Sequence, residues 1–202
     1  MRMTNMRRLP AHGNPFGKVR TVVVVCLTTL ACASPIKAAS TDWRQLVEQE
    51  LPLLGHRNWI VIVDSAYPLQ SSPGVETVET SASQDEVVRT VLGDLSKSKH
   101  VAPDIYMDAE LPFVPEQGAP GVTAYRTQLP SMIGSLPVLS LPHEQLIKML
   151  ADAGATFHIL VLKTTLTIPY TSVFLRLDCK YWDAASEAAL RKAMAEHATQ
   201  PK

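Results

Sequence analysis

Two polar side chains flank one apolar segment of the chain, and their types are suited to proton transfer. His56 comes shortly before the run from Trp59 to Val63, and Asp64 follows it directly. An imidazole can exchange a proton near neutral pH, and a carboxylate can orient that imidazole or accept a hydroxyl group. Because the run is apolar, β-branched and of strand length, it predicts a buried strand with the two side chains at its ends. The spacing is equally compatible with two side chains that only cap turns.

A second histidine and a tyrosine are further candidates. His143 falls in the first turn of a helix that Ser140 and Pro142 are expected to start, where the positive end of the helix dipole favours a neutral imidazole, as a base requires. An exposed histidine at a helix start is the alternative. Tyr170 follows Pro169 at the mouth of a predicted strand, so its hydroxyl could donate to a ligand oxygen or to a loop carbonyl.

The other titratable residues point less clearly to chemistry. His158 is predicted inside an apolar strand as a core residue, and His100 and His197 are predicted at the surface. Asp108 and Glu110 could bind a cation through oxygen, but two carboxylates are too few for a metal site. The chain has no glycine-rich phosphate loop, no G-x-S-x-G and no H-E-x-x-H. We therefore expect neither a metal nor a cofactor.

Helical and strand patterns alternate along the chain. Helices are predicted over residues 41–54, 83–97, 142–154 and 183–197, and strands over 59–63, 75–78, 105–107, 157–162 and 172–177. The helix at 83–97 has a capping box, Ser83 with Glu86. Residues 111–142 are rich in proline and glycine and predict a long irregular excursion. The alternation predicts a single α/β domain with a mostly parallel sheet flanked by helices.

The chain's charge is divided unevenly. Residues 1–39 hold six of the 19 basic residues and none of the 19 acidic ones, so the remainder has a net charge of −6. The basic start is followed by an apolar run at 21–33 that is short for a membrane span. We expect a signal peptide at 1–39 and a domain at 40–202, exported to the periplasm or the extracellular space. A lipid anchor at Cys32 and a retained membrane anchor are the alternatives.

Removal of the leader would leave Cys179 as the only cysteine of the domain, so no intrachain disulfide, zinc knuckle or redox pair could form there. We expect a semi-buried core cysteine near a strand end. The acidity of residues 40–202 argues against nucleic acid as a partner. No membrane partner is expected unless Cys32 is lipidated.

Four segments resemble the motifs of a known family. They are LGHRNWIVIVDSAYP at 54–68, VAPDIYMDAEL at 101–111, HEQ at 143–145 and PYTS at 169–172. Together they are similar to the D-ribose pyranase and L-fucose mutarotase family (RbsD/FucU), small α/β proteins that interconvert sugar ring forms. The resemblance spans most of the domain and implies an RbsD-like fold.

The resemblance also implies a mechanism and an assembly. His56 would transfer protons, Asp64 would orient it or hold a hydroxyl, and His143, Tyr170 and Ser172 would position the monosaccharide, such as ribose or fucose. Ring opening needs a proton removed from the anomeric hydroxyl and one delivered to the ring oxygen, without cofactor or metal. The family's rings of subunits imply a homo-oligomer, such as a pentamer or decamer, with sites at the interfaces.

Two positions depart from the family pattern. Asn58 stands where an aspartate is usual, and Ser172 stands where an asparagine is usual. Serine keeps a hydroxyl but lacks the paired donor and acceptor of an amide. These departures keep a second hypothesis open, a non-catalytic secreted monosaccharide-binding or assembly protein on the same scaffold. A third hypothesis is a structural envelope protein without a sugar site, which predicts that His56 and Asp64 face a packed core or bulk solvent.

Overall fold

A six-stranded mixed sheet organises residues 42–198, which are the part of the chain that this computed structural model describes. The five helices of this part are α1 Trp43–Glu50, α2 Gln84–Lys97, α3 Val122–Ile133, α4 His143–Gly154 and α5 Ala184–Ala198. The six strands are β1 Trp59–Val63, β2 Val75–Glu79, β3 Val101–Asp108, β4 Val138–Leu141, β5 Ile159–Lys163 and β6 Val173–Cys179. The expected leader at 1–39 lies outside the described residues.

The strand order is β2-β5-β1-β6-β3-β4. β6 runs antiparallel to its neighbours β1 and β3, and the three other pairings are parallel. Five strands therefore share one direction, and the predicted α/β class with a mostly parallel sheet is confirmed. Since β1 and β3 point the same way, the residues that follow them meet at one edge of the sheet. This edge holds the pocket described below.

Both faces of the sheet are buried, which explains the continuous apolar character of β1. Ile60 and Ile62 point into a core shared with α1, α2 and α3, whereas Val61 and Val63 point into a core shared with α4. Each of these four side chains is 0% exposed. Because successive side chains of a strand point to opposite faces, β1 contributes to both cores.

The expectation of an irregular excursion at 111–142 is wrong. This segment contains a 3₁₀ turn at Leu111–Phe113, then α3 and β4. The carboxylate of Glu116 accepts hydrogen bonds from the backbone N–H groups of Gly121 and Thr123, at 2.5 and 2.9 Å, and so caps the start of α3. Pro130 lies inside α3. A proline lacks an N–H group and usually ends a helix, so the packing of α3 on the core outweighs that local cost.

The helices predicted over 83–97, 142–154 and 183–197 agree with α2, α4 and α5 to within one residue, whereas the helix predicted over 41–54 is too long, since α1 ends at Glu50, before Pro52. The side chain of Ser83 accepts a hydrogen bond from the N–H group of Glu86 and caps α2, and α4 ends at Gly154. Cys179 ends β6 and is partly buried, as predicted. None of the helices within residues 42–198 is long and apolar enough to cross a membrane.

Candidate functional site

Three of the five sequence-predicted site residues line one pocket. Asp64 follows β1, His143 begins α4, and Tyr170 lies in the loop before β6. The pocket has a volume of about 440 Å³. Its wall is completed by Ser65, Ala66, Tyr67, Pro68, Thr167, Ile168 and Pro169. Distant parts of the chain therefore place a carboxylate, an imidazole and a phenol around one cavity.

His143 is held in the pocket by two acids of the segment that ends β3. Its Nδ1 lies 3.0 Å from Oδ1 of Asp108. Its backbone N–H group donates to both carboxylate oxygens of Glu110, at 3.0 and 3.1 Å, so Glu110 caps α4. The sequence analysis found Asp108 and Glu110 too few for a metal site, and in the structure both acids bind His143. When Asp108 is ionised, His143 donates from Nδ1 and its Nε2 is left as an acceptor.

Asp108 is the buried charge of this site. Its side chain is 0% exposed, and its Oδ2 has no hydrogen-bond partner among the described residues. Burial raises the pKa of its carboxyl group, and the hydrogen bond with His143 opposes that shift. A buried carboxylate with one satisfied oxygen is costly, and such groups concentrate at functional sites. Asp108 can fix the ring orientation of His143 without itself contacting a ligand.

Tyr170 packs against His143 at the pocket. The two rings meet edge to face with centroids 5.5 Å apart, and Tyr170 is 39% exposed. Its φ of +59° is the left-handed conformation that a bulky residue rarely adopts. The loop is pinned because Gln84 Nε2 and the Tyr125 hydroxyl both donate to the carbonyl of Thr171, at 2.7 and 2.9 Å. This buried network keeps Tyr170 in a strained backbone conformation at the pocket.

Asp64 offers the pocket one carboxylate oxygen that makes no hydrogen bond among the described residues. Oδ1 of Asp64 accepts a hydrogen bond from the N–H group of Ala66 at 2.8 Å, which is the turn-capping alternative of the sequence analysis. Its Oδ2 has no hydrogen bond within residues 42–198 and can accept one from a ligand hydroxyl. Beside it, burial raises the pKa of Tyr67 to about 12, and Gln70 Nε2 donates to the Tyr67 hydroxyl at 2.8 Å. Tyr67 therefore stays neutral at physiological pH.

His56 lies at the other end of β1, away from this pocket. Its Nδ1 is 2.5 Å from Oδ1 of Asp178, and its Nε2 accepts from Arg57 Nε at 3.1 Å. Because a guanidinium can only donate, Nε2 must be the acceptor and Nδ1 carries the proton. The pair lines a separate cavity of about 560 Å³ with Cys179, Tyr181, Trp182, Asp183, Ala184 and Glu187. Within one chain, Asp64 does not orient His56.

Asp178 is the carboxylate that His56 meets instead. Desolvation alone would raise the pKa of its carboxyl group, but hydrogen bonds from the Cys179 N–H group and from His56, with the charge of Arg176, lower it overall. Asp178 is therefore ionised where it contacts the imidazole. Arg57, next to His56, has a φ of +76°, so this turn is strained in the same way as the loop of Tyr170.

Asn58 and Ser172, the two positions that depart from the family pattern, have different surroundings in the structure. Oδ1 of Asn58 accepts from the N–H group of Gly55 at 2.7 Å, and its Nδ2 donates to the carbonyl of His158 at 3.2 Å. Asn58 thus uses both halves of its amide to hold the turn before β1, which an aspartate could not do. Ser172 is 2% exposed and does not line the pocket. Its contact with a sugar stays a prediction, since Ser172 is not part of the pocket wall in the single chain.

Comparison with known proteins gives structural neighbours only. No protein-family model and no curated protein matches the sequence. The chain is structurally similar to RbsD/FucU proteins. RbsD of Bacillus subtilis, in complex with D-ribose, has 15% identity and a TM-score of 0.45, over 69% of this chain and 93% of that one.

Two further solved structures have a similar identity and TM-score. FucU of Bifidobacterium longum has 15% identity and a TM-score of 0.45, with 66% of this chain and 94% of that chain covered. The fucose mutarotase of Streptococcus pneumoniae, in complex with L-fucose, has 17% identity and a TM-score of 0.45, with 69% and 92% covered.

Sequence reasoning missed the partners of the three histidines. No local pattern relates Asp178 to His56, and none relates Asp108 to His143, which it orients. His158 was expected inside a strand as a satisfied core residue, and this is wrong. It precedes β5, its side chain is 33% exposed, and its Nε2 has no hydrogen bond among the described residues. The available signal was that His158 directly precedes the run of branched apolar residues that begins at Ile159, a position at a strand end.

Proposed function

We propose that the protein interconverts ring forms of a monosaccharide, such as ribose or fucose, by acid-base proton transfer. The proposal rests chiefly on the pocket lined by Asp64, His143 and Tyr170. Its volume of about 440 Å³ lies within the usual range of small-molecule sites. A sugar presents several hydroxyls, and the pocket offers acceptors at Asp64 Oδ2 and His143 Nε2 and a donor at Tyr170.

The reaction would need two proton transfers at neighbouring sugar oxygens. The anomeric hydroxyl loses a proton, the ring oxygen gains one, and the bond between the anomeric carbon and the ring oxygen breaks to give the open aldehyde. Rotation about the bond to the aldehyde carbon and re-closure then give the other ring form. Within one chain, His143 is the histidine that lines the pocket, and Asp108 orients its ring.

His56 can take part only from a second copy of the chain. At about 3.3 Å per residue, β1 alone separates His56 from Asp64 by more than roughly 16 Å. A proton cannot pass directly over that distance. We therefore propose that, in a homo-oligomer, His56 and Asp178 of one copy approach the pocket of the next, with Arg57 displaced from Nε2 when the sugar binds.

Nuclear magnetic resonance saturation transfer on ribose and fucose tests the activity. We expect the wild type to accelerate exchange between ring forms, and His143→Asn and His56→Asn each to reduce it. His197→Asn, an exposed histidine on α5, is the matched control and should match the wild type. Exchange no faster than in buffer for all common aldoses would reject the enzyme function.

A non-catalytic sugar-binding protein is the second candidate. Two observations favour it: Arg57 occupies Nε2 of His56, and Ser172 is buried away from the pocket. Calorimetry separates the two functions. Heat of sugar binding that is lost in Asp64→Asn, without faster ring exchange, would support a binding protein and reject the mutarotase.

A further inference from the structure

Three ionisable side chains meet at the sheet edge opposite the pocket. They are Glu50 at the end of α1, Glu76 in the edge strand β2, and His158 just before β5. His158 Nε2 lies 3.8 Å from Oε2 of Glu50 and 3.9 Å from Oε2 of Glu76. One ligand atom from each residue lies within 4.8 Å of the other two. Nothing in the proposed sugar chemistry uses this cluster.

The backbone brings these residues together on one face. β2 and β5 pair in parallel with Glu76 opposite Leu160, and His158 lies two residues before Leu160. Alternation therefore puts Glu76 and His158 on the same face of the sheet as Leu160, which is the face that α1 covers. The end of α1 then brings Glu50 over them. The hydrogen bond from Asn58 Nδ2 to the His158 carbonyl fixes the start of β5.

The cluster has ligand atoms without partners. His158 Nε2 is buried and makes no hydrogen bond, because both carboxylates lie beyond hydrogen-bond distance. Within residues 42–198, neither Glu50 nor Glu76 is paired with a lysine or an arginine. The two carboxylates that converge on this nitrogen repel each other, and the lone pair of an unprotonated Nε2 adds to that repulsion. A cation between them would remove that repulsion.

The spacing suits a metal ion. Zinc binds histidine nitrogen and carboxylate oxygen at about 2.0–2.2 Å. Ligand atoms around a tetrahedral zinc ion are therefore about 3.4 Å apart. The separations of 3.8 and 3.9 Å exceed that distance slightly, and a small rotation of each glutamate side chain would close the gap. An imidazole in the set favours a transition metal over Mg²⁺ or Ca²⁺, which prefer oxygen ligands throughout.

We propose that Glu50, Glu76 and His158 bind a divalent transition-metal ion, with Zn²⁺ as the reference case and water completing the coordination shell. The ion ties the end of α1 to the edge strand β2 and to the start of β5. Since the three ligands come from elements far apart in the chain, binding requires the folded domain. The metal therefore stabilises the fold and serves a role apart from the sugar pocket.

Calorimetric titration of the whole, chelator-treated protein with ZnCl₂ tests this site. We expect one ion per chain with a dissociation constant in the micromolar range or tighter, and a higher melting temperature in its presence. His158→Asn and Glu76→Gln should each weaken binding at least about tenfold. Glu48→Gln, an exposed glutamate on the same helix α1, is the control and should bind as the wild type does.

Cobalt absorption and circular dichroism complete the experiment. Co²⁺ bound at this site should show visible bands that disappear in His158→Asn, and the far-ultraviolet spectrum of each apo variant should match the wild type. Glu76 lies on an edge strand, so Glu76→Gln retains the fold even if His158→Asn does not. Zn²⁺ binding that is absent, or that is unchanged in Glu76→Gln, overturns the proposal and leaves the cluster as a simple ion pair of His158 with two glutamates.

Discussion

The Nδ1 atom of His143 lies 3.0 Å from Oδ1 of Asp108, a carboxylate whose side chain is 0% exposed. His143 itself is 30% exposed and borders the pocket. A buried acid thus holds a partly exposed imidazole by one nitrogen and leaves the other nitrogen toward the cavity. Such an arrangement fixes the tautomer and the orientation of the ring before a ligand arrives.

Asp108→Asn tests the orienting role. The amide keeps the shape and one acceptor oxygen but removes the negative charge that stabilises a protonated His143. We expect ring-form exchange to slow on the order of 10²-fold, with little change in sugar affinity. Saturation transfer gives the rate, and calorimetry gives the affinity. Asp152→Asn, an exposed aspartate on α4 that contacts Lys148, is the control, and equal rates for the two variants would show that His143 acts without Asp108.

The same substitution changes the pH dependence of stability. Burial raises the pKa of Asp108 above its ordinary 3.8, so the folded protein holds a proton that the unfolded chain has released. Wild-type stability therefore falls as pH rises from about 3.8 through the raised pKa. Asp108→Asn lacks this titration, so its free energy of unfolding relative to wild type should rise over that interval. Urea unfolding at several pH values measures the difference, and a pH-independent difference would contradict it.

A site shared between copies predicts complementation. His56→Asn and Asp64→Asn should each lose most of the activity alone, but mixed oligomers should contain interfaces that combine an intact His56 with an intact Asp64. Random mixing at equal amounts should restore roughly a quarter of the wild-type rate. The measurement is saturation transfer after joint refolding. No recovery, with oligomers of normal size, would show that the active site belongs to one chain.

Gly74 allows a close approach between β2 and the end of α4. A Cβ at this position would lie closer than van der Waals distance to the carbonyl oxygens of Gly154 and Phe157. Gly74→Ala should therefore lower the free energy of unfolding by about 1–3 kcal/mol. Gly93→Ala in α2 is the matched control, because no heavy atom lies within 4 Å there, and it should be neutral or slightly stabilising. Equal effects on urea unfolding would contradict the steric explanation.

Glu116 should give α3 an acid-sensitive cap. Hydrogen bonds from the N–H groups of Gly121 and Thr123 lower the pKa of Glu116 from 4.5 to about 2. A lowered pKa contributes stability above about 4.5 that is lost as pH falls toward 2. Wild type should therefore be more stable than Glu116→Gln at pH 6, and the difference should shrink between pH 4.5 and pH 2. Urea unfolding at several pH values measures this difference in the free energy of unfolding, and a difference that stayed constant would contradict the prediction.

Local patterns were enough to predict most of the secondary structure. The strand at Trp59–Val63 has the predicted bounds because a run of buried branched residues leaves few alternatives to a strand covered on both faces. α2 was predictable from Ser83 and Glu86, since a capping box acts within one turn. In contrast, α3 was missed because its cap, Glu116, lies five residues before Gly121 and its Pro130 predicts a break.

The sequence by itself determined the types of side chain and their positions at strand and helix ends, because those depend on spacing along the chain. Tertiary structure decided which of them meet. Asp64, His143 and Tyr170 share a pocket because β1 and β3 run in the same direction and the loop before β6 returns to that edge. His56 instead meets Asp178, since antiparallel β6 ends where β1 begins, and His158 meets Glu50 and Glu76. These pairings arise from sheet order and register, which bring together residues that no local pattern relates.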